Sequence, residues 1–167
     1  MEPSEVNRVM ERVTPRVGTL TLYARQWAGP AAADDVVQEA MVRLLSLRQP
    51  PIDSLLWMFR AVRNAAIDAA RATSRRQRRE RVVAETRREW FDPDAGSIVD
   101  ARAAEASLGQ LPHETRQIVL LRVWGDLGWA QIAELVGLPL STVHDRYRQA
   151  LARLRDAMEK PCLKKTT

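Results

Sequence analysis

GLPLSTVHDRYRQ, residues 137–149, joins a turn signal to a helix with two dissimilar faces. Gly137-Leu138-Pro139 turns the chain, and glycine supplies the positive φ that a helix C-terminus often needs. Ser141 or Thr142 can cap the helix that follows. Val143, Tyr147, Ala150, Leu151 and Leu154 then recur at helical spacing and are expected to face inward. Thr142, His144, Asp145, Arg146, Arg148 and Gln149 are left outside on the first two turns. Just upstream, Trp129, Ile132, Ala133 and Val136 form the expected buried stripe of a helix over 129–136. Two helices around so tight a turn make a helix-turn-helix, whose second helix fits the major groove and reaches base edges with its N-terminal residues. Arg and Gln can contact guanine and adenine, and Asp can accept from cytosine. Thr142 and helix-terminal N–H groups suit a phosphate. An ordinary helical hairpin with a solvated polar face would show the same spacing, so the rest of the chain must decide.

Outward from this stretch the pattern stays helical. Alternating Val/Ile/Thr runs are missing from all 167 residues, and apolar residues recur at helical spacing instead. Val6, Val9, Met10 and Val13 mark a first helix. Thr14-Pro15 reads as the cap and first residue of a second, running through Val17, Leu20 and Ala24 to Trp27, where Gly29-Pro30 stops it. A third starts near Asp34 and is expected to bury Val36, Val37, Ala40, Met41, Leu44 and Leu45. Its other face carries Asp35, Gln38, Glu39, Val42 and Arg43. After Gln49-Pro50-Pro51, Asp53 or Ser54 can cap a long helix with Leu55, Phe59, Val62, Ala66 and Ala69 on one side. That helix ends in an arginine cluster (Arg71, Arg75, Arg76, Arg78, Arg79, Arg81). The period is lost through WFDPDAGS (90–97) and returns at about 98. One helix is expected over 98–109, a second after Leu111-Pro112 burying Ile118, Val119 and Leu121, a third over 129–136 and a fourth over 141–158. The fold class is therefore all-α: two small helical domains, 1–80 and 98–160, joined by a flexible linker at 81–97, with a tail at 161–167.

Composition narrows the partners. The hydrophobic fraction of 46% is enough to bury a core. The net charge of +5 and pI near 10.1 favour an acidic partner, nucleic acid before membrane. No apolar run approaches the roughly 18 residues of a membrane span, and the acidic, amphipathic MEPSEVNRVMERV does not read as a signal peptide. The single Cys162 has no disulfide partner and no metal-ligand cluster around it, which fits a reducing cytoplasm.

On the long helix, DSLLWMFRAVRNAAIDAARATSRRQRR (53–79), Trp57, Arg60, Arg63 and Asn64 lie close together at i, i+3 and i+4 spacing, with Arg71 further along. An aromatic among Arg and Asn, ahead of an arginine cluster, suits unstacked bases and backbone phosphate. Asp68 and Arg71, three residues apart, are also placed to form a surface pair.

Three blocks carry a family resemblance. DDVVQEAMVRLL (34–45) resembles the second conserved region of bacterial sigma factors. WMFRAVRNAAIDAAR (57–71) is similar to the helix that follows it there. LPHETRQIVLLRVWGDLGWAQIAELVGLPLSTVHDRYRQALARLR (111–155) resembles their fourth region. The order and the short linker, with no room for a first or third region, are similar to the extracytoplasmic-function (ECF) subfamily. The resemblance covers nearly all of 10–157. It implies a subunit that binds core RNA polymerase and brings it to promoter DNA. Asp35, Gln38, Glu39 and Val42 match the face that docks the polymerase clamp helices. Trp57, Arg60, Asn64 and Asp68 match positions of the −10 helix, and the loop 46–54 matches the loop that cradles an extruded base. Extrusion costs a few kcal/mol of unstacking that a fitted pocket must offset. His144, Asp145, Arg148 and Gln149 match positions at the −35 element. Two departures stand out: SLRQPPIDS lacks the Gly and Phe often found in that loop, and Asp145 puts a negative charge where Ser or a basic residue is common. Asp145 repels phosphate unless it meets a cytosine amino group or pairs with Arg148.

Other function classes explain less. A free-standing helix-turn-helix regulator would be a dimer that binds duplex without polymerase, and it has no need of the specialised 34–79 block. An enzyme needs a metal or an acid-base constellation. The acidic residues here lie on solvated helix faces, and His113 and His144 have no companion ligands, so no catalytic residue, metal or cofactor is assigned. An adaptor that only sequesters another regulator is a further class. Many relatives of this kind are held inactive by an anti-sigma factor, which would be an additional partner.

Overall fold

The computed structural model describes residues 1–80 and 108–159, which form helices and turns with no strand among them. The chain divides into two compact units, Met1–Phe91 and Asp92–Thr167. The linker expected at 81–97, the tail with Cys162 and most of the helix expected over 98–109 lie outside the described residues.

In the first unit, α1 (Pro3–Val13) leads through a 3-10 turn (Thr14–Arg16) into α2 (Val17–Ala28), α3 (Pro30–Leu45) and the long α4 (Ser54–Glu80). Helices α2, α3 and α4 pack on one another and α1 lies against α4. The seam is made by Leu20, Tyr23 and Ala24, by Val36, Val37, Ala40 and Leu44, and by Leu55, Met58, Phe59, Val62 and Ala66, all buried. Tyr23 sits at its centre, edge-to-face with Trp27 at 4.9 Å and with Phe59 at 5.4 Å. Burial pushes its phenol well above the ordinary range, while the nearby Arg63 pulls the other way. Asp53 caps α4, its Oδ1 accepting the N–H groups of Leu55 and Leu56 at 3.1 Å each. Arg12 of α1 lies 3.8 Å from the same oxygen.

Local signals misplace some boundaries. Helix α3 begins at Pro30, not near Asp34. Gly29 turns the corner at φ 76°, and proline suits a first helical position because its missing N–H would be unpaired there. Thr14 caps nothing through its side chain. It stays in the αR region and continues α1 into the 3-10 turn, so α2 starts at Val17. Leu45, expected inside, is 37% exposed. Leu44 takes the inward position, and Leu45 lies about 100° further round the helix.

In the second unit, Leu108 and Gly109 end a helical segment. Helices α5 (His113–Val123), α6 (Trp129–Val136) and α7 (Leu140–Glu159) follow. Each of these three packs on the other two, around Ile118, Leu120, Leu121, Leu127, Ile132, Leu135, Val143 and Ala150. Arg116 ties the entry to the unit together. Its Nε donates to the Leu108 carbonyl at 3.0 Å, and Nη2 donates to those of Gly109 and Leu111 at 3.0 and 3.1 Å. At the turn after α5 a Cβ on Gly125 would lie 2.6 Å from the Leu121 carbonyl oxygen, so only glycine fits without a backbone shift.

The helix-turn-helix forms with Gly137 left-handed at φ 74°, as the turn chemistry predicts. Three details differ from expectation. The inward side of α6 runs through Ile132 and Leu135, leaving Trp129, Ala133 and Val136 half-buried. Helix α7 begins at Leu140, with the Pro139 carbonyl accepting the Val143 N–H at 3.1 Å. Ser141 and Thr142 therefore lie inside the first turn and not at the cap. Leu151 is 40% exposed because Ala150 occupies the seam beside it.

Candidate nucleic-acid interface

The outer face of α4 and the C-terminal end of α3 enclose a groove of about 630 Å³. Trp57, Arg60, Asn64 and Asp68 recur every three or four residues and so share one side of α4. Ala61 and Ala65, also on this side, leave the groove its depth. Val42, Arg43, Ser46 and Leu47 form the opposite wall. The volume falls within the range of small-ligand clefts and admits a nucleobase. The lining offers the indole of Trp57 for stacking, Asn64 for hydrogen bonding, and Arg43 and Arg60 as cations. Groove and core share one helix: the inner side of α4 is buried in the seam while the outer side carries these groups.

Two of the predicted −10 residues stand apart from the groove. Arg63 is half-buried on another side of α4, close enough to Tyr23 to act on its phenol, and its Nε is buried without a hydrogen-bond partner. It does not join Trp57 and Asn64, because at about 100° per residue those two lie to one side of Arg60 and Arg63 lies to the other, toward Tyr23 of α2. Arg71 is exposed and pairs with Asp68 at 3.5 Å. Arg75 and Arg76 extend the exposed basic end of the helix.

On α3 the residues matched to polymerase docking are all exposed: Asp35, Gln38 and Glu39, together with Val42, which is 63% exposed. Val42 also lines the groove, so the docking candidate and the base-reading candidate meet at one residue. Sequence spacing placed Val42 and Arg43 on the outer face of α3 but carried no sign that α4 would face them.

On α7 the six candidate contact residues separate by environment. His144, Asp145, Arg148 and Gln149 are exposed, while Thr142 and Arg146 are half-buried. Arg148 lies 4.0 Å from Asp145, one turn apart on the same face, so the acid that would repel phosphate has a partner. Arg146 points back to α5 and pairs with Glu114. His144 packs its ring against Trp129 with centroids 4.4 Å apart. Trp129 and Arg122 were not among the expected contact residues, and no spacing signal links either to His144. Among the described residues no group of three or more His, Cys, Asp or Glu side chains is placed to hold a metal ion. No described helix is long and apolar enough to cross a membrane.

A helix-turn-helix on one helical unit and a basic, aromatic-lined groove on another define a two-module protein of the nucleic-acid-binding class. Residues 11–76 match sigma-70 region 2 and residues 101–154 match sigma-70 region 4, which together take in most of the chain. The chain belongs to the sigma-70 family, in its ECF group carrying regions 2 and 4. It is 32% identical over 109 residues to the ECF RNA polymerase sigma factor RpoE of Cereibacter sphaeroides, covering 61% of this chain and 56% of that protein. It thus spans little more than half the length of that relative. RNA polymerase sigma factor SigV of Bacillus subtilis is 28% identical over 130 residues, 75% of each chain. Among solved structures, the sigma factor RpoE of Bartonella quintana, in complex with the anti-sigma factor NepR, shares the fold. The TM-score is 0.68 at 18% identity, over 92% of this chain and 98% of that one. The family is not one of enzymes.

Proposed function

We propose that this chain is an alternative sigma subunit that binds core RNA polymerase and directs it to promoters through −10 and −35 recognition. Docking falls to Asp35, Gln38, Glu39 and Val42 on α3. The groove of the first unit takes an unstacked −10 base, with Trp57 as the stacking surface and Arg60 and Asn64 beside it. Helix α7 reads the −35 element as duplex through His144, Asp145, Arg148 and Gln149. The subunit works in the cytoplasm, carries out no chemistry of its own, and is held in reserve by an anti-sigma factor, the partner class of its Bartonella quintana neighbour. The observation that carries this reading is the pairing of regions 2 and 4 in order, with a groove roomy enough for a base on the first. The test is co-purification of the full chain with core RNA polymerase, followed by run-off transcription from a fragmented genomic library. Stable association with discrete start sites supports it. Tight duplex binding by the chain alone, with no association, would make it a free-standing regulator.

Two substitutions test the halves separately. Glu39→Arg is expected to weaken the affinity for core polymerase by about tenfold, since reversing a charge in a complementary interface is costly. Its helical melting curve should not move, because the side chain is exposed. Unchanged affinity would remove this face from the docking surface. Arg148→Ala is expected to lower transcription by the equivalent of about 1–3 kcal/mol, the range of a good base contact. It also frees Asp145 from its partner. Equal losses on templates with intact and scrambled −35 sequence would instead mark Arg148 as a phosphate contact.

A further inference from the structure

Two helices converge on the indole of Trp129, the first residue of α6. From α5 comes Arg122, its Cζ 4.7 Å from the ring centroid. From α7 come His144, with ring centroids 4.4 Å apart and planes tilted 53°, and Tyr147, edge-to-face at 5.0 Å. The anchors of this cluster are fixed. Arg122 Nη1 donates to the Leu127 carbonyl at 3.2 Å. The Gly128 N–H, just before the indole, donates to the Gln131 side chain at 2.6 Å. His144 is nevertheless solvent-exposed and lies in the first two turns of α7, next to the Asp145–Arg148 pair.

We infer that Trp129 is a positioning residue for −35 recognition: its ring holds the His144 imidazole at the edge of the reading face, and it acts on DNA through His144. The inference rests on the −35 reading of α7 proposed above. An exposed histidine samples several rotamers, and selecting one on binding costs affinity. Packing against Trp129 makes that selection in the free protein. The same ring keeps the Arg122 guanidinium over its face, where the quadrupole attracts a cation. Leucine has no planar face to hold either group, whereas phenylalanine keeps the face with a weaker quadrupole.

The test is a double-mutant cycle on the full chain in complex with core RNA polymerase, reading the ratio of transcription from matched and scrambled −35 templates. Trp129→Leu and His144→Ala are each expected to lower that ratio by about fivefold. The double variant should fall no further than either single one, and Trp129→Phe should keep most of the ratio. Thermal melting of each variant separates loss of positioning from loss of fold. If Trp129→Leu does not fold, the cycle is run with Trp129→Phe, whose smaller loss must vanish in the His144→Ala background. Additive losses, or an unchanged ratio in Trp129→Leu, overturn the role of Trp129. A wild-type chain that does not distinguish the two templates overturns the −35 reading itself, which is a different result.

Discussion

Phe59→Ala is expected to destabilise the first unit by about 3–5 kcal/mol. A domain of ordinary stability holds only about 5–15 kcal/mol in total, so most of the folded population would be at risk on mild heating. The size of the effect follows from position. Phe59 is fully buried and stacks edge-to-face on Tyr23, at the seam where α2 and α4 meet. Truncation removes that burial, forfeits the aromatic pair, and leaves a cavity that rigid helices cannot close. The consequence reaches function because Phe59 and Trp57 share a helix. A shift of α4 away from α2 would also displace the wall that carries Trp57, Arg60 and Asn64. Urea denaturation of the full chain, followed by far-ultraviolet circular dichroism, measures the cost. Phe59→Leu, which keeps most of the volume, should lose much less. A wild-type midpoint in the alanine variant would show that this contact does not hold α4 in place.

Arg116→Ala should cost the second unit about 3 kcal/mol, since hydrogen bonds to a charged group contribute roughly 1.5–3 kcal/mol each but are not additive within one side chain. One guanidinium satisfies three backbone carbonyls, those of Leu108, Gly109 and Leu111. They lie where a helical segment ends and the chain turns toward α5, and carbonyls at such an end need partners. Burial lowers the pKa of Arg116 from its ordinary value, as expected for a cation drawn partly out of water. Arg116→Lys should recover only part of the loss, because an ammonium cannot span three acceptors in one plane. Denaturation followed by tryptophan fluorescence, in a chain with Trp27, Trp57 and Trp90 replaced by phenylalanine, reads the unit through Trp124 and Trp129. Equal stability of the lysine variant and wild type would show that charge alone matters and the planar fork does not.

Much of the candidate site was legible from spacing. The exposed polar residues on the first turns of α7, the turn glycine and the outer side of α4 all follow from periods of three and four residues. A single residue's helix, face and rough depth are set within one or two turns of chain. Burial of individual side chains was less legible. Leu45 and Leu151 are apolar and at nearly the right spacing, yet each sits beside a residue that takes the inward position first. Arg63 shows the converse: spacing grouped it with Arg60 and Asn64, and packing turned it toward Tyr23.

By itself the sequence determined the helical class, the helix-turn-helix with its left-handed Gly137, a cap for α4 at Asp53 or Ser54 and the order of the two regions. These are local: each depends on torsion angles, on hydrogen bonds within a few residues, or on a run of apolar side chains at one period. Tertiary structure alone decided which surfaces face each other. It brought Val42 and Leu47 opposite Trp57 to make the groove, turned Arg146 back to Glu114, closed Arg116 on three carbonyls, and set Arg122 and His144 on the one indole of Trp129. The physical reason is that helix periodicity specifies a direction around each axis, whereas the meeting of two such faces depends on how side chains of different helices fill the space between them.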